Sequence, residues 1–408
     1  MKEMLRHIAR KMRPMGLIGL MGLMGCSEDY EPESRHRVTF EAMPCTTTFE
    51  EDKTADTREW GNTRSWSPSS PYFAFDDAVF AQQKNLVNKS IGVFFTQDGS
   101  PPQEGTFYYN DRNLEWNLSM DIDEGDYYLY GYIPSEDVDN ATITGNSSYS
   151  SGAVLTLHGV KTVTPSDVCV VVGAKDGTEE TVTGLATGDF SVSVNATSGS
   201  GSNYIFLLFD HLYSALRFRF TVDTDYAALR TIKLRRLELI AYGDGSETRL
   251  KAKYDVAITL TANDTEASPI GSVTFTPDAS SADLQMEPIF EGTEELSPTT
   301  PSDYMGCFVP SGFRYFKLRS TYDVYDKATP TPNLIRKGCR AENAINLESI
   351  FGVSTTLERG KRNVVNMTVQ PTYLYVLSEP DLDNPTVTVS PSPSRRGEGS
   401  EYLNSQME

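Results

Sequence analysis

Cysteine, histidine and long apolar runs are scarce in this chain, and each scarcity narrows what it can be. Of 408 residues, five are Cys and four are His, and no two Cys stand in a CxxC spacing. A structural zinc site is therefore not expected, nor any other metal or cofactor. One apolar run, Met15 to Gly25, is too short to span a bilayer. No phosphate-cradling glycine loop is present, since Gly243-Asp244-Gly245-Ser246 carries only two glycines in a hairpin turn. No stretch of any length shows the periodicity of an amphipathic helix. Positive charge is also short, with 36 Lys and Arg against 56 Asp and Glu. So acidic a surface argues against a nucleic-acid partner and keeps an exported chain soluble.

What is present begins at the N-terminus. Lys2, Arg6, Arg10, Lys11 and Arg13 precede the apolar run, and small residues end it. Basic, apolar and small segments in that order form a secretory signal over residues 1–25. Leu23-Met24-Gly25-Cys26 resembles the bacterial lipobox, in which the Cys thiol takes a diacylglycerol and the peptide is cut before it. Several acyl chains on Cys26 hold a protein to a membrane where one does not. Residues 26–36 form an acidic leader that resembles an export cue of surface lipoproteins. Loss of the five basic residues and of Glu3 takes the net charge from −20 to −24.

The remainder reads as strands. Tyr, Phe and β-branched residues are plentiful, turn signals recur, and Leu216, Phe218, Phe220 and Val222 alternate with Arg217, Arg219 and Thr221. An early strand spans residues 37–42, with Val38 and Phe40 on one face. Residues 46–70 are polar, lack periodicity and read as an exposed loop open to proteases. Further strands are expected from Ser90 to Phe95, Asp126 to Ile133, Ile232 to Ala241, Lys253 to Thr261, Tyr315 to Tyr325 and Val364 to Val376. The Gly/Ser-rich stretch 191–203 reads as a linker between an N-terminal sandwich, 37–190, and a C-terminal one, 204–378. Residues 379–408 read as an extension and a low-complexity tail. Short strands without intervening helices indicate an all-β fold of antiparallel sandwiches.

Chemistry-bearing constellations are few. Asp121 to Asp126 is short of the ligands a calcium loop needs and reads as a solvated turn. Phe209-Asp210-His211 holds an acid and an imidazole with no nucleophile beside them, and His211 reads as structural. Cys307 and Cys339 could meet across neighbouring strands in an oxidising compartment, though spacing does not establish this and separate buried thiols are the preferred reading. No catalytic residue is identified and no enzymatic activity is expected. A surface glycan-binding lipoprotein is the alternative class, with Trp60, Trp66 and Trp116 as candidate platforms.

Several segments together resemble the fimbrillin family, the lipoprotein precursors of bacterial type V pili. They are Cys26 with its lipobox, Val38 to Ala42, Asn62 to Trp66, Ile91-Gly92-Val93-Phe94, Tyr127 to Pro134, Phe209 to Leu216 and Leu357 to Arg362. The resemblance implies two transthyretin-like β-sandwiches in tandem on an outer-membrane lipoprotein. It further implies that a trypsin-like protease cuts after an Arg behind the first strand, here Arg64 or else Arg58. Val38 and Phe40 would then leave with that strand, and a strand of another pilin subunit would fill the groove. Tyr373 to Leu377 or Thr386 to Val389 is the donor this resemblance implies. Adhesion to host or bacterial surfaces is the role that follows.

Overall fold

The computed structural model describes residues 38–40 and 90–391, apart from short stretches at 111–114, 178–185, 195–202, 244–245, 263–268, 311–312, 348–356, 358, 361 and 374–379. Cys26, the acidic leader, Cys45, Lys53, Arg58, Trp60, Arg64 and Trp66 lie outside the described residues. The described chain is all-β, with twenty-one strands in four sheets.

The first sheet takes β1 (Val38–Phe40), β2 (Ser90–Thr96), β3 (Gln103–Asn110), β4 (Glu115–Leu118), β5 (Gly125–Ile133), β9 (Cys169–Gly177), β10 (Ser191–Val194) and β11 (Asn203–His211). Their order is β10-β5-β2-β3-β4-β1-β11-β9. β5 also pairs with β9, at Tyr132–Val170 and Ile133–Cys169, so the sheet curls back on itself. Period-2 alternation sends Ile91, Val93 and Phe95 of β2 into a small inner core with Leu129, Val171, Ile205, Leu207 and Phe209. Phe94 and Tyr130 point the other way, into a larger core shared with the remaining sheets. Glycine permits the tight β2–β5 contact: a Cβ on Gly131 would stand 2.5 Å from the Gly92 carbonyl oxygen. Val93 faces Gly131 across that ladder, which joins two of the segments behind the family resemblance.

A second sheet runs β15 (Ile270–Pro277), β14 (Lys253–Thr261), β7 (Gly152–Lys161), β6 (Asn140–Gly145). The third runs β21 (Pro380–Pro391), β20 (Arg362–Tyr373), β12 (Ser214–Val222), β17 (Ser302–Phe308), β8 (Val163–Thr164), and the fourth β16 (Glu287–Glu295), β13 (Thr231–Tyr242), β18 (Tyr315–Tyr325), β19 (Leu334–Asn346). On β12 the expected alternation holds, with Leu216, Phe218, Phe220 and Val222 buried and Arg217, Arg219 and Thr221 half-buried.

Several expectations are corrected. β1 with β11 and β12 with β20 are parallel pairs, so the sheets are not purely antiparallel. Residues 191–194 are not linker but β10, whose Val192 and Val194 are buried; the following glycines and serines hid a short alternating SVSV. Asn203 opens β11, which pairs in the first sheet, and β7 and β8 pair with strands of the second half. Sheet membership therefore crosses the boundary expected at 191–203. Pro380–Pro391 is a strand rather than an extension; as an edge strand it tolerates prolines that an interior strand would not. A short helix, α1 (Thr224–Leu229), also forms, because the Asp223 carboxylate accepts from the backbone N–H groups of Asp225 and Tyr226. Cys307 and Cys339 sit on β17 and β19, in different sheets, as separate buried thiols with no disulfide between them.

Burial leaves a titration signature. Desolvation raises the Tyr130, Tyr213, Tyr226, Tyr304 and Tyr322 hydroxyls well above their ordinary value of 10.0, and pushes Tyr132 up to about 12. Above pH 10.0 the unfolded chain gives up phenolic protons that the folded chain keeps. Stability therefore falls as pH rises beyond that value. In a phenolate absorbance titration the exposed tyrosines should ionise first, and these six only together with loss of the β-sheet circular dichroism signal. Reversible ionisation of all tyrosines near pH 10.0, with the fold intact, would contradict this burial.

Candidate functional site

Three features bear on function: a strand inserted from a distance, a C-terminal strand on a sheet edge, and a buried polar junction.

β1 is inserted between β4 and β11. It runs parallel to β11, with Val38 opposite Asn203 and Phe40 opposite Ile205, and antiparallel to β4, with Phe40 opposite Trp116. Among the described residues β1 is the one strand joining β4 to β11. Its removal would leave both flanking strands with unpaired backbone along one edge. The β11 edge so exposed is Asn203 to Ile205, of which Ile205 belongs to the inner core, and Leu118 of β4 packs against that core. The loop expected to be cut lies outside the described residues.

At the other end of the chain, β21 folds back on β20, pairing Val389 with Met367 and Thr386 with Gln370. Val387 is buried. Arg230 meets Asp383 at 3.1 Å, the Tyr226 hydroxyl donates to the Leu382 carbonyl at 2.9 Å, and Asn343 Nδ2 donates to the Val387 carbonyl at 2.9 Å. The start of the segment read as an extension, Pro380 to Pro385, therefore lies within a paired strand. Tyr373 ends β20 opposite Pro380, and residues 374–377 lie outside the described residues. Either donor segment would have to be released from, or extended beyond, a strand that the chain already pairs with itself.

The polar junction lies where β11 ends. His211 is 3% exposed, and its Nδ1 donates to the Asp167 carboxylate. Cys169 Sγ lies 3.7 Å from the same nitrogen. The Asp210 carboxylate accepts from the His211 backbone N–H and from Arg359 Nη1, each at 2.8 Å, and Arg359 Nη1 also donates to the His211 carbonyl at 2.8 Å. The Gly360 N–H donates to the Tyr213 carbonyl at 2.7 Å. Two segments of the resemblance, Phe209 to Leu216 and Leu357 to Arg362, are thus fastened together. Sequence reading singled out Asp210 and His211 but missed Asp167 and Cys169. The available signal was their i, i+2 spacing, which puts both side chains on one side of an extended chain.

A Cys, a His and an Asp in one place invite comparison with a nucleophilic relay. Such a relay needs the nucleophile on one imidazole nitrogen and the orienting carboxylate on the other. Here both approach Nδ1, and Asp167, Cys169 and His211 are all buried. The arrangement is therefore not that of such a relay. The acidic turn Asp121–Asp126 does not gather into a comparable group; among the described residues Asp167, Cys169 and His211 are the one converging set.

No family model and no curated protein matches this sequence. Solved structures do align with it. A candidate cell adhesion protein from Bacteroides fragilis shares 10% identity over 90% of this chain and 100% of its own, with a TM-score of 0.40. A fimbrial protein from Bacteroides vulgatus shares 14% identity over 74% of this chain and 92% of its own, with a TM-score of 0.29. The fimbrial anchor protein Mfa2 from Porphyromonas gingivalis shares 10% identity over 75% and 90%, with a TM-score of 0.24. At these TM-scores the likeness is a loose one in overall strand layout and no more.

Proposed function

We propose that this chain is a structural subunit of cell-surface fimbriae. It is exported as a lipoprotein anchored through Cys26 and assembled by loss of its first strand and strand exchange with another subunit. The observation that carries this reading is the position of β1. Among the described residues a three-residue strand, separated from β2 by residues 41–89, alone joins β4 to β11 beside the inner core. Local pairing builds the rest of that neighbourhood, β2 to β5, without it. Cleavage at Arg58 or Arg64 in the polar stretch 46–70 would detach β1 from the body of the protein. An incoming strand then gains main-chain pairing on two edges, and its alternate side chains set the register.

The partners are other pilin subunits, of the same or a different chain, a processing protease, and the outer membrane through the lipid. The β12-to-β21 half supplies the donor, either Tyr373 to Leu377 or Thr386 to Val389. Two transthyretin-like units are the fold this reading assigns, and adhesion to host or bacterial surfaces is the role.

Limited trypsin tests it. The first cuts should fall between Lys53 and Arg64, and the cleaved protein should convert from monomer to ladders or filaments on native gels and in electron micrographs. A Lys53→Ala, Arg58→Ala, Arg64→Ala triple variant should stay monomeric under the same treatment. Cleaved protein that remains monomeric at high concentration would move the assignment to the glycan-binding alternative, which needs no strand exchange.

A further inference from the structure

We propose that Asp167, Cys169 and His211 form a buried binding site for a thiophilic divalent cation, with Zn²⁺ as the ion that fits best. Their candidate ligand atoms, a carboxylate oxygen, the thiol sulfur and Nδ1, all lie within 4.8 Å of one another. The register explains the convergence. Cys169 and His211 are directly opposed on the antiparallel β9–β11 ladder, which puts their Cβ atoms about 4.5–5.5 Å apart. Asp167 stands two residues before Cys169 and so shares its side of the chain. An imidazole nitrogen, a thiolate and a carboxylate are the three ligand types zinc takes, and the mixed soft and hard set disfavours magnesium and calcium.

The surroundings fit a structural ion rather than a surface one. All three residues are buried. Second-layer bonds fix the strand end that carries His211: its N–H donates to Asp210, its carbonyl accepts from Arg359, and the Leu212 N–H donates to the Val168 carbonyl. Binding balances as follows. The ion displaces the thiol proton of Cys169 to solvent, the Nδ1 proton moves to Nε2 of the neutral imidazole, and the freed lone pairs coordinate. Water or the second Asp167 oxygen completes four-coordination. The ion would clamp β9 to β11 where β9 also meets β5, on the side of β11 away from β1. No CxxC announces such a site, because one ligand comes from a strand more than forty residues away. It departs from the expectation of no metal and does not depend on the assembly reading.

The experiment uses the full chain, extracted in mild detergent without chelator. Elemental analysis should find one equivalent of zinc per chain. Replacement by Co²⁺ should give a thiolate-to-cobalt charge-transfer band in the near ultraviolet and tetrahedral ligand-field bands in the visible. Cys169→Ser should abolish the charge-transfer band, and Cys169→Ser and Asp167→Asn should each weaken zinc binding by more than the roughly 10–100-fold that loss of an outer-shell partner costs, with the β circular dichroism signal retained. Excess zinc should raise the melting temperature of the wild type and not of Cys169→Ser. A folded wild type that carries substoichiometric zinc and shows no cobalt–thiolate band after loading would overturn the site. An unchanged cobalt spectrum in Cys169→Ser would overturn it equally, since the ion would then sit elsewhere.

Discussion

Arg359→Ala is expected to cost about 3–5 kcal/mol of folding stability, read as a fall in the urea midpoint at unchanged slope. Asp210 is buried, and Arg359 Nη1 bridges its carboxylate and the His211 carbonyl. Deleting the guanidinium strands a carboxylate in a dry site, and that desolvation penalty exceeds the worth of the contact itself. The side chain of Arg359 is 29% exposed, so water can partly relieve the charge and the lower end of the range applies. Replacing both partners, Arg359→Met with Asp210→Asn, should recover most of the loss, because no buried charge then remains. Arg359→Lys should recover only part, since one ammonium replaces a planar fork. A double variant no more stable than Arg359→Ala would show that the pair is not what holds the 359–360 turn to β11.

Ending the chain at residue 379, which removes β21, should leave a protein that is largely unfolded or aggregated. Burial of Val387 alone is worth about 1.5–3 kcal/mol, and each lost ladder hydrogen bond on β20 adds about 0.5–1.5 kcal/mol. The Arg230–Asp383, Tyr226–Leu382 and Asn343–Val387 contacts go with them. Set against a typical total of about 5–15 kcal/mol, that loss is most of the stability. A chain ending at residue 391 should melt like the full chain, and a peptide of residues 380–391 added to the truncated chain should restore folding. The consequence for assembly is specific. If Thr386 to Val389 donates to a neighbour, its withdrawal must be matched by what the acceptor groove returns, because β20 loses its edge partner at the same moment. A truncated chain as stable as the full one would mean that β21 is an appendage, free to serve elsewhere at no cost.

Strand identity was legible wherever one face is buried and the other is not. Lys253 to Thr261 and Tyr315 to Tyr325 were read at the bounds they adopt, and Leu216 to Val222 within a strand that begins two residues earlier, because a period of two in burial writes itself as a period of two in polarity. β16 and β19 escaped notice for the converse reason. They are sheet edges in which runs such as Glu291 to Thr293 and Leu334 to Gly338 are exposed on both faces, so no alternation is imposed. At the polar junction Asp210 and His211 stood out in the sequence, while Asp167 and Cys169 did not. Their relation to His211 is a cross-strand register, which leaves no mark in either segment alone.

By itself, then, the sequence determined the all-β class, the acidic composition and the inward face of most strands. All of these follow from local composition and from what each side chain costs in water. Only the tertiary structure decided which strand lies beside which: β1 between β4 and β11, β12 parallel to β20, β7 and β8 crossing into the second half, Cys307 and Cys339 kept apart. The backbone hydrogen bonds that make those pairings are chemically the same for every residue except proline. The choice among partners is made by how whole faces fit and bury together, a property of the assembled core rather than of any one stretch.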